Sequence, residues 1–356
     1  MGPIELRRPY YHCAGCHRGT VPWDRTLGLN ERRFTRAAQE LVALVGTLVS
    51  FPKGSDETLR KLSGLRVSES TVQRTTEDAG ARLRRLWEDR QTLGTSESWD
   101  WQRDAQGRTC GYVSVDAIGV HQQGPGGCKA EGRMAYVAKL YSPPLDEQTA
   151  RPPDQVRYLA GLHPLDSLGL RLRGQAAQVG WDETEQQIAL SDGGAGLEDF
   201  FRVNFPRAVC IIDFWHVKEY LVELASVWFG ADETARKKWL DEQCHRLKHE
   251  GGTAVLAELE SLDVRRRSAA VREAHRVTTQ YFRNHVHRMD YPTYRKAGWQ
   301  IGSGPVEAAC KTVVAERLKC SGMRWGVDGA DSVCHLRALW LSEPDQWAAF
   351  WRDHPN

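Results

Sequence analysis

The strand-like patterns of this 356-residue chain lie in one stretch, and a long helical stretch follows them. The segment GYVSVDAIGV (111–120) alternates side chains with the period of a half-buried strand. Further strand patterns lie at 134–141, 156–159, 186–192 and 208–213. From residue 217 to about 299 the pattern is helical throughout. This order predicts an α/β fold whose strands are followed by an all-helical block.

Three acidic residues stand where these elements end or begin. Asp116 lies within the first strand, Asp192 ends a later strand, and Glu307 opens a helix after the helical block. Each alone has a structural explanation: a strand acid facing water, a turn or N-cap residue, and an acid in a first helical turn. Together, carboxylates on strand ends and a facing helix can converge on two Mg²⁺ ions, which prefer oxygen ligands. We therefore expect these three acids to form a catalytic metal site.

The segment VCIIDFWHVKEYL (209–221) contains a further acid and base. Asp213 follows a buried-strand pattern, and His216 comes three residues later at the start of a helical pattern. The pair is either part of the chemistry or a support beside it. The pattern alone leaves both interpretations open.

The N-terminal segment PYYHCAGCHRGTVPW (9–23) has the composition of a metal-binding knuckle. Cys13 and Cys16 have the CxxC spacing of zinc ligands, but a structural zinc ion usually takes four ligands from two such pairs. A partial zinc-ribbon-like segment over residues 1–30 is therefore one interpretation. A loop with two free thiols is the other.

Residues 31–95 have a helical pattern with a helix-turn-helix cadence. Gly64 marks a turn, and Ser68 is a candidate N-cap for a helix that begins near Glu69. A recognition helix presents its N-terminal residues to base edges. The residues predicted to contact DNA in this way are Ser70, Thr71, Gln73 and Arg74. The alternative is a plain helical hairpin.

A second basic stretch follows Glu307. Its cations are suited to DNA phosphates beside a metal site, and its tryptophan is suited to stacking on a base. The residues are Lys311, Arg317, Lys319, Arg324 and Trp325. The alternative for each is a solvated basic face with a tryptophan in the core.

Composition restricts the class of protein further. The hydrophobic share of 41% and charged share of 26% are those of an ordinary globular protein, and the net charge of +2 favours no partner by itself. Most of the nine cysteines stand singly in apolar surroundings, as in a reducing compartment. The sequence has neither a signal-peptide pattern nor an apolar run long enough to span a bilayer. We therefore expect a cytoplasmic protein.

Several blocks of the chain together resemble the DDE transposases of bacterial insertion sequences, in the Kra-type subgroup of the Mutator-like superfamily. The blocks are VSVDAIGV, GPGGCKAEGRMAYVAKLY, LSDGGAGLEDFF, FPRAVCIIDFWHVKEYL, RMDYPTYRKAGWQIGSGPVEAACKTVVAERLK and GMRW. One departure is Ala117, where many relatives have glycine after the first catalytic acid.

The resemblance implies an RNase H-like core in two parts, residues 109–216 and 300–356, separated by an all-α insertion at 217–299. It assigns the catalytic acids to Asp116, Asp192 and Glu307, and it places the family's C/D-x-x-H element on Asp213 and His216. Because Asp192 takes the metal-facing strand end in this scheme, we interpret Asp213 and His216 as supporting residues.

The implied activity is metal-dependent cleavage and strand transfer at terminal inverted repeats, with two Mg²⁺ ions that Mn²⁺ can replace. The implied partners are double-stranded DNA and a second copy of the chain, and the implied location is the nucleoid. Two alternatives remain from the residues: a catalytically inactive, truncated DNA-binding regulator, and an RNase H-like nuclease without strand transfer.

Overall fold

The computed structural model describes residues 7–26, 29, 34–143, 155–302 and 304–353. At the N-terminus, a short hairpin is formed by β1 (Tyr11–His12) and β2 (Gly19–Thr20), and the helix α1 (Pro22–Thr26) follows. The tight turn between the strands holds Cys13 and Cys16, and both thiols are exposed. The segment thus has a knuckle-like backbone, as its sequence predicts.

The next region is helical, as its sequence pattern predicts. It contains α2 (Arg36–Leu48), α3 (Phe51–Lys53), a π-helical segment (Gly54–Leu59), α4 (Arg60–Ser63) and α5 (Glu69–Glu88). Gly64 ends α4 with a φ of 73°, a left-handed conformation that glycine adopts at low cost. Ser68 caps α5 by accepting a hydrogen bond from the Thr71 N–H.

The centre of the molecule is a five-stranded mixed sheet. Its strands are β3 (Cys110–Val120), β4 (Arg133–Tyr141), β5 (Val156–Gly161), β6 (Gln186–Ser191) and β7 (Val209–Ile212), in the order β5-β4-β3-β6-β7. The strand β4 runs antiparallel to both β3 and β5, whereas β6 is parallel to β3 and β7 is parallel to β6. The predicted α/β class is confirmed.

The central strand β3 is more buried than its alternating sequence predicts. Its first six residues are all buried, because both faces of the sheet are covered. Val113 and Val115 join a core with residues of α5, while Cys110 and Tyr112 join a separate core on the opposite face. Only near Asp116 does the strand become partly accessible.

Two helices connect the parallel strands. They are α6 (Leu165–Gln178), which precedes β6, and α7 (Leu197–Asn204), which precedes β7. After β7 come α8 (Phe214–Phe229), α9 (Glu233–Glu250), α10 (Gly252–Ser261), α11 (Ala269–His285) and α12 (Tyr291–Lys296). Residues 214–302 contain no strand, so the predicted all-helical block is present and packs on the Cys110 face of the sheet.

The chain ends in helices that return to the sheet. They are α13 (Gly304–Ala309), a π-helical segment (Cys310–Ala315), α14 (Glu316–Leu318), α15 (Val327–Leu341) and α16 (Pro344–Asp353). The helix α15 is buried along most of its length and packs against α5 and β5. The N-terminal helices therefore share their cores with the sheet and the C-terminal helices.

Residues 91–108, whose polar, turn-rich sequence predicts a linker, are part of this packing. Leu93, Trp99 and Trp101 are buried in the core that contains Val113. Trp101 contacts Trp181 edge to face, with ring centroids 6.0 Å apart. The linker interpretation is wrong, because the apolar side chains of this segment anchor its irregular backbone.

Across the described ranges, every helix is too short or too polar to cross a bilayer.

Candidate active site

Asp116 and Asp192 lie at the same level of two adjacent parallel strands. Ser114 of β3 pairs with Leu190 of β6, and each aspartate lies two residues further along its own chain segment. Strand alternation places the two carboxylates on the face covered by the α8–α12 block. Gly193 follows Asp192 with a φ of 85°, and the Gly194 N–H donates to Asp192 Oδ1 at 2.8 Å. The turn thus holds Asp192 at the carboxyl end of β6.

Asp213 continues this row by one strand. Ser191 of β6 pairs with Ile212 of β7, and Asp192 and Asp213 follow these two residues directly. The Asp213 side chain is fully buried and accepts a hydrogen bond from the Trp215 N–H, which caps α8. The order of strands therefore puts Asp192, and not Asp213, next to the strand that holds Asp116.

Glu307 approaches the row from α13. Its carboxylate oxygen Oε1 lies 3.9 Å from His216 Nε2, while His216 Nδ1 lies 3.2 Å from Glu219 Oε2. The imidazole thus stands between two carboxylates. Ligand atoms of Asp213, His216 and Glu307 all lie within 4.8 Å of one another.

The thiol of Cys310 lies beside the predicted acids. It donates a hydrogen bond to Asp116 Oδ2 at 3.4 Å. Burial raises the pKa of this thiol, and the charges of Asp116, Glu307 and Asp192 raise it further. Asp116 thus contacts the thiol directly, while Asp192 and Glu307 are near enough for their charges to act on it.

The Asp116 carboxylate is half-buried beside a second carboxylate. Burial raises its pKa, and the neighbouring charge of Asp192 raises it further. Hydrogen bonds from the Ala117 N–H and the Cys310 thiol, together with His216, oppose this increase. A half-buried carboxylate beside another carboxylate is the setting in which a bound cation relieves repulsion.

The donor set fits hard divalent cations. Asp116, Asp192 and Glu307 offer carboxylate oxygens, the ligands that Mg²⁺ prefers. Among the described residues, however, the compact three-ligand group at this edge is Asp213, His216 and Glu307. Glu307 therefore stands between the Asp116–Asp192 pair and the Asp213–His216 pair, and it can serve either.

The basic stretch after Glu307 divides into exposed and buried residues. Lys311, Lys319 and Arg324 are exposed, as phosphate contacts require. Arg317 is 1% exposed, and its guanidinium donates two hydrogen bonds to the Gly46 carbonyl oxygen, at 3.1 and 3.0 Å. The interpretation of Arg317 as a phosphate ligand is therefore wrong.

Trp325 is also a core residue. It is 7% exposed, its indole N–H donates to the Leu318 carbonyl oxygen at 3.1 Å, and the Arg317 guanidinium lies 4.9 Å from its ring centroid. A base cannot stack on a ring covered in this way. The prediction of base stacking by Trp325 is corrected, and the alternative of a core tryptophan is the one that the structure supports.

The predicted recognition residues lie at the accessible N-terminal end of α5. Ser70, Gln73 and Arg74 are exposed, and Thr71 is half-buried beside the Ser68 hydroxyl. Gln73 and Arg324 line the same open groove, so the two predicted DNA-contacting regions meet on one surface. The groove does not include the acids.

Trp215 is an exposed aromatic residue that lies beside these acids. The sequence pattern does not single it out. It is 55% exposed, although it lies between Asp213 and His216 in the sequence. A methyl group on Gly302 would lie 3.1 Å from the indole, and Lys218 Nζ lies 5.1 Å from its ring centroid. Its place within the DFWH segment was the only available signal.

The two N-terminal thiols lie close together but away from this site. Hydrogen bonds from Cys16 lower the pKa of Cys13, which favours the thiolate form that metals bind. Among the described residues, no third histidine, cysteine or acid joins Cys13 and Cys16 within 4.8 Å.

The chain matches no model of a known protein family and no curated protein sequence.

Proposed function

We propose that the protein is a DDE-type transposase that cuts and joins DNA at the ends of an insertion sequence. The observation that supports this proposal is that Asp116 and Asp192 lie side by side on paired strands, with Asp116 accepting a hydrogen bond from the Cys310 thiol, on which the charge of Glu307 also acts. The two aspartates come from adjacent parallel strands, and the glutamate comes from a helix beyond an all-helical block. Such convergence of distant acids is what metal-assisted phosphoryl transfer requires.

The topology of the sheet agrees with an RNase H-like core. Three antiparallel strands are followed by two parallel strands that enter beside the first, and helices cover both faces. In this proposal α8–α12 form the insertion, and α13 brings the last acid back to the core.

The carboxylates would hold two Mg²⁺ ions, or Mn²⁺ in their place. When bound, such ions activate the attacking oxygen and stabilise the leaving oxygen of a phosphodiester. Asp116 takes the shared position in this proposal, because it accepts the hydrogen bond of the Cys310 thiol, on which the charges of the other two acids also act. The backbone turn at Gly193 holds Asp192 in place, and the first turn of α13 carries Glu307.

His216 has a positioning role in the same proposal. Its imidazole contacts both Glu219 and Glu307, so it restricts the directions that the Glu307 carboxylate can take. Asp213 supports this arrangement by capping the first turn of α8, on which His216 lies. The pair therefore acts on the chemistry through Glu307.

The DNA partner would lie across the accessible edge of this site. Lys311, Lys319 and Arg324 supply exposed cations for phosphates, and Trp215 supplies an exposed ring for an unpaired base. The N-terminal end of α5 would read base edges through Ser70, Thr71, Gln73 and Arg74. Two element ends must be held together, so a homodimer on DNA in the bacterial nucleoid belongs to the proposal.

The test uses purified full-length protein and end-labelled DNA that carries the inverted repeats flanking its gene. We expect Mg²⁺-dependent strand cleavage followed by joining to a target duplex. Asp192→Ala should lower cleavage by about 10²–10³-fold or more, the loss typical for one transition-state-stabilising group. The matched control is Asp199→Asn, an exposed acid on α7 that pairs with Arg202.

The outcomes separate the candidate functions. Cleavage without joining indicates a nuclease, and binding without cleavage indicates a regulator. Full cleavage by Asp192→Ala would overturn the assignment of the acids, even if the wild-type protein cleaves DNA.

A further inference from the structure

A second polar cluster lies away from the proposed catalytic edge. His163 follows β5, while Asp331 and His335 lie one turn apart on the same face of α15. The distances between their ligand atoms are 2.9 Å from His163 Nε2 to Asp331 Oδ2, 3.1 Å from His335 Nε2 to the same oxygen, and 3.2 Å between the two nitrogens. Asp331 and His335 are 3% and 1% exposed.

The protons available to this cluster do not satisfy its acceptors. His335 Nδ1 lies 2.7 Å from the Ala160 carbonyl oxygen, which can only accept, so the Nδ1 position holds a proton. The Nε2 atom of a neutral His335 is then an acceptor that faces another acceptor, Asp331 Oδ2. His163 can donate one proton to one of these two atoms. Asp331 Oδ2 is buried and accepts no hydrogen bond of adequate geometry.

A cation held just above the centre of the triangle satisfies all three atoms. Ligand atoms bound tetrahedrally at about 2.0–2.1 Å are separated by roughly 3.3 Å, close to the sides of this triangle. The hydrogen bond from His335 Nδ1 to a backbone carbonyl is the outer contact that orients metal-bound histidines. The backbone of Gly161 closes one side, since a methyl group there would lie 2.8 Å from both Asp331 Oδ1 and His335 Cε1.

The surrounding charges are balanced. Arg84 Nη1 lies 3.7 Å from Asp331 Oδ2, but the same guanidinium also pairs with Asp328 and Glu88, at 3.6 and 3.8 Å. Arg171 lies nearby and pairs with Glu88 at 3.7 Å. A small cavity lined by His163, Ser167 and Arg171 borders the cluster and offers a place for a fourth ligand such as water.

We propose that His163, Asp331 and His335 form a binding site for a divalent transition-metal ion such as Zn²⁺, which fastens the end of β5 to α15. Two imidazoles and one carboxylate suit zinc better than Mg²⁺. The His163 side chain is 25% exposed, so the ion can enter from that side. The site is independent of the proposed catalytic acids.

The experiment measures zinc bound to the full-length chain in a Cys13→Ser/Cys16→Ser background, which removes the N-terminal thiols as ligands. After zinc loading and removal of free metal, elemental analysis should find one equivalent per chain. His163→Ala in this background should lose that equivalent, and added Zn²⁺ should no longer raise its Tm. His163 is the chosen position because its partial exposure lets the variant fold.

Two controls make the result specific. His245→Ala replaces an exposed histidine on α9, and Glu307→Gln alters the other three-ligand group; both should keep the equivalent. Absence of bound zinc in the background protein would overturn the proposal. Retention of zinc by His163→Ala, or its loss in Glu307→Gln alone, would overturn it equally.

Discussion

Two polar regions of the molecule use the same side-chain types in opposite settings. The closed cluster (His163, Asp331 and His335) lies between a strand end and a buried helix. The edge site (Asp116, Asp192, Asp213, His216 and Glu307) opens at the carboxyl ends of the parallel strands. The Asp331 side chain is 4% exposed, whereas that of Glu307 is 51% exposed. Burial makes the first region a determinant of stability, and access makes the second available to a substrate.

The two regions also differ in how their surroundings change the pKa of a buried or half-buried aspartate. Burial alone would raise the pKa of Asp331, yet the two imidazoles beside it lower that pKa below its ordinary value. At the edge site, burial and the charge of Asp192 raise the pKa of Asp116. In the closed cluster the neighbouring imidazoles thus oppose the effect of burial on the carboxylate, whereas at the edge site a neighbouring carboxylate adds to it.

The largest expected effect on stability comes from a substitution in the closed cluster. Asp331→Asn removes a buried carboxylate that contacts His163, His335 and Arg84, and it should destabilise the protein by about 3–5 kcal/mol, as when one partner of a buried pair is lost. Glu307→Gln, in the open region, should change the free energy of unfolding by no more than about 0.5 kcal/mol. Urea unfolding measures both. Equal effects would remove the distinction between the two regions.

A second comparison is between two cations of the same basic stretch. Arg317→Met leaves the Gly46 carbonyl without its charged donor, and it should cost about 1.5–3 kcal/mol of stability. DNA affinity, measured under conditions where the variant is folded, should be unchanged. Lys319→Met should do the reverse: stability stays constant, and the salt dependence of DNA binding falls by about one unit of slope. A loss of DNA affinity confined to Arg317→Met would instead support a contact between Arg317 and a DNA phosphate.

Trp215 tests whether the open region receives DNA. Trp215→Ala should weaken binding of a nicked or frayed DNA end by about 1–3 kcal/mol, the contribution of one base–aromatic stack. Trp23→Ala, at another exposed tryptophan, is the control. Fluorescence anisotropy gives both affinities, and an equal loss in the two variants would argue against a specific stack.

The smallest expected effect concerns Asp116. A raised native pKa means that the folded protein binds a proton more tightly than the unfolded chain, so stability falls as pH rises through this range. At neutral pH without divalent ions, Asp116→Asn should therefore raise stability, by less than about 1 kcal/mol after solvent screening. Mg²⁺ should stabilise the wild type and not the variant. Thermal unfolding with and without Mg²⁺ checks both expectations.

The order of elements could be predicted from the sequence, because each depends on local pattern. The strand at 134–141 and the helix that Ser68 caps were both placed within one or two residues. Local pattern did not show that the segment 91–108 is packed. Its apolar residues are too widely spaced for a helix or strand period, and only the core that receives them explains their burial.

The residues of the candidate site could likewise be predicted only where a local sequence pattern marks them. Asp116 could be found because it lies within a recognisable strand pattern, and Asp192 because it directly follows one. Arg317 and Lys319 have the same local pattern, and their difference arises from Gly46, which is 271 residues from Arg317 in sequence. The closed cluster shows only its helical pair, Asp331 and His335, to a reader of the sequence. His163 joins them because α15 packs against β5, a contact that no local spacing indicates.

The π-helical segment Cys310–Ala315 begins three residues after Glu307. A π turn takes about one residue more than an α turn, so the helix beyond it is rotated by roughly 100° relative to an unbroken α-helix. The segment thus sets the direction of the Glu307 side chain relative to Arg317, which is held by its hydrogen bonds to Gly46. A deletion of one residue here would keep every ligand in the chain and turn the last carboxylate away from its partners. The orientation of the last carboxylate, as distinct from its presence in the chain, therefore depends on that one additional residue.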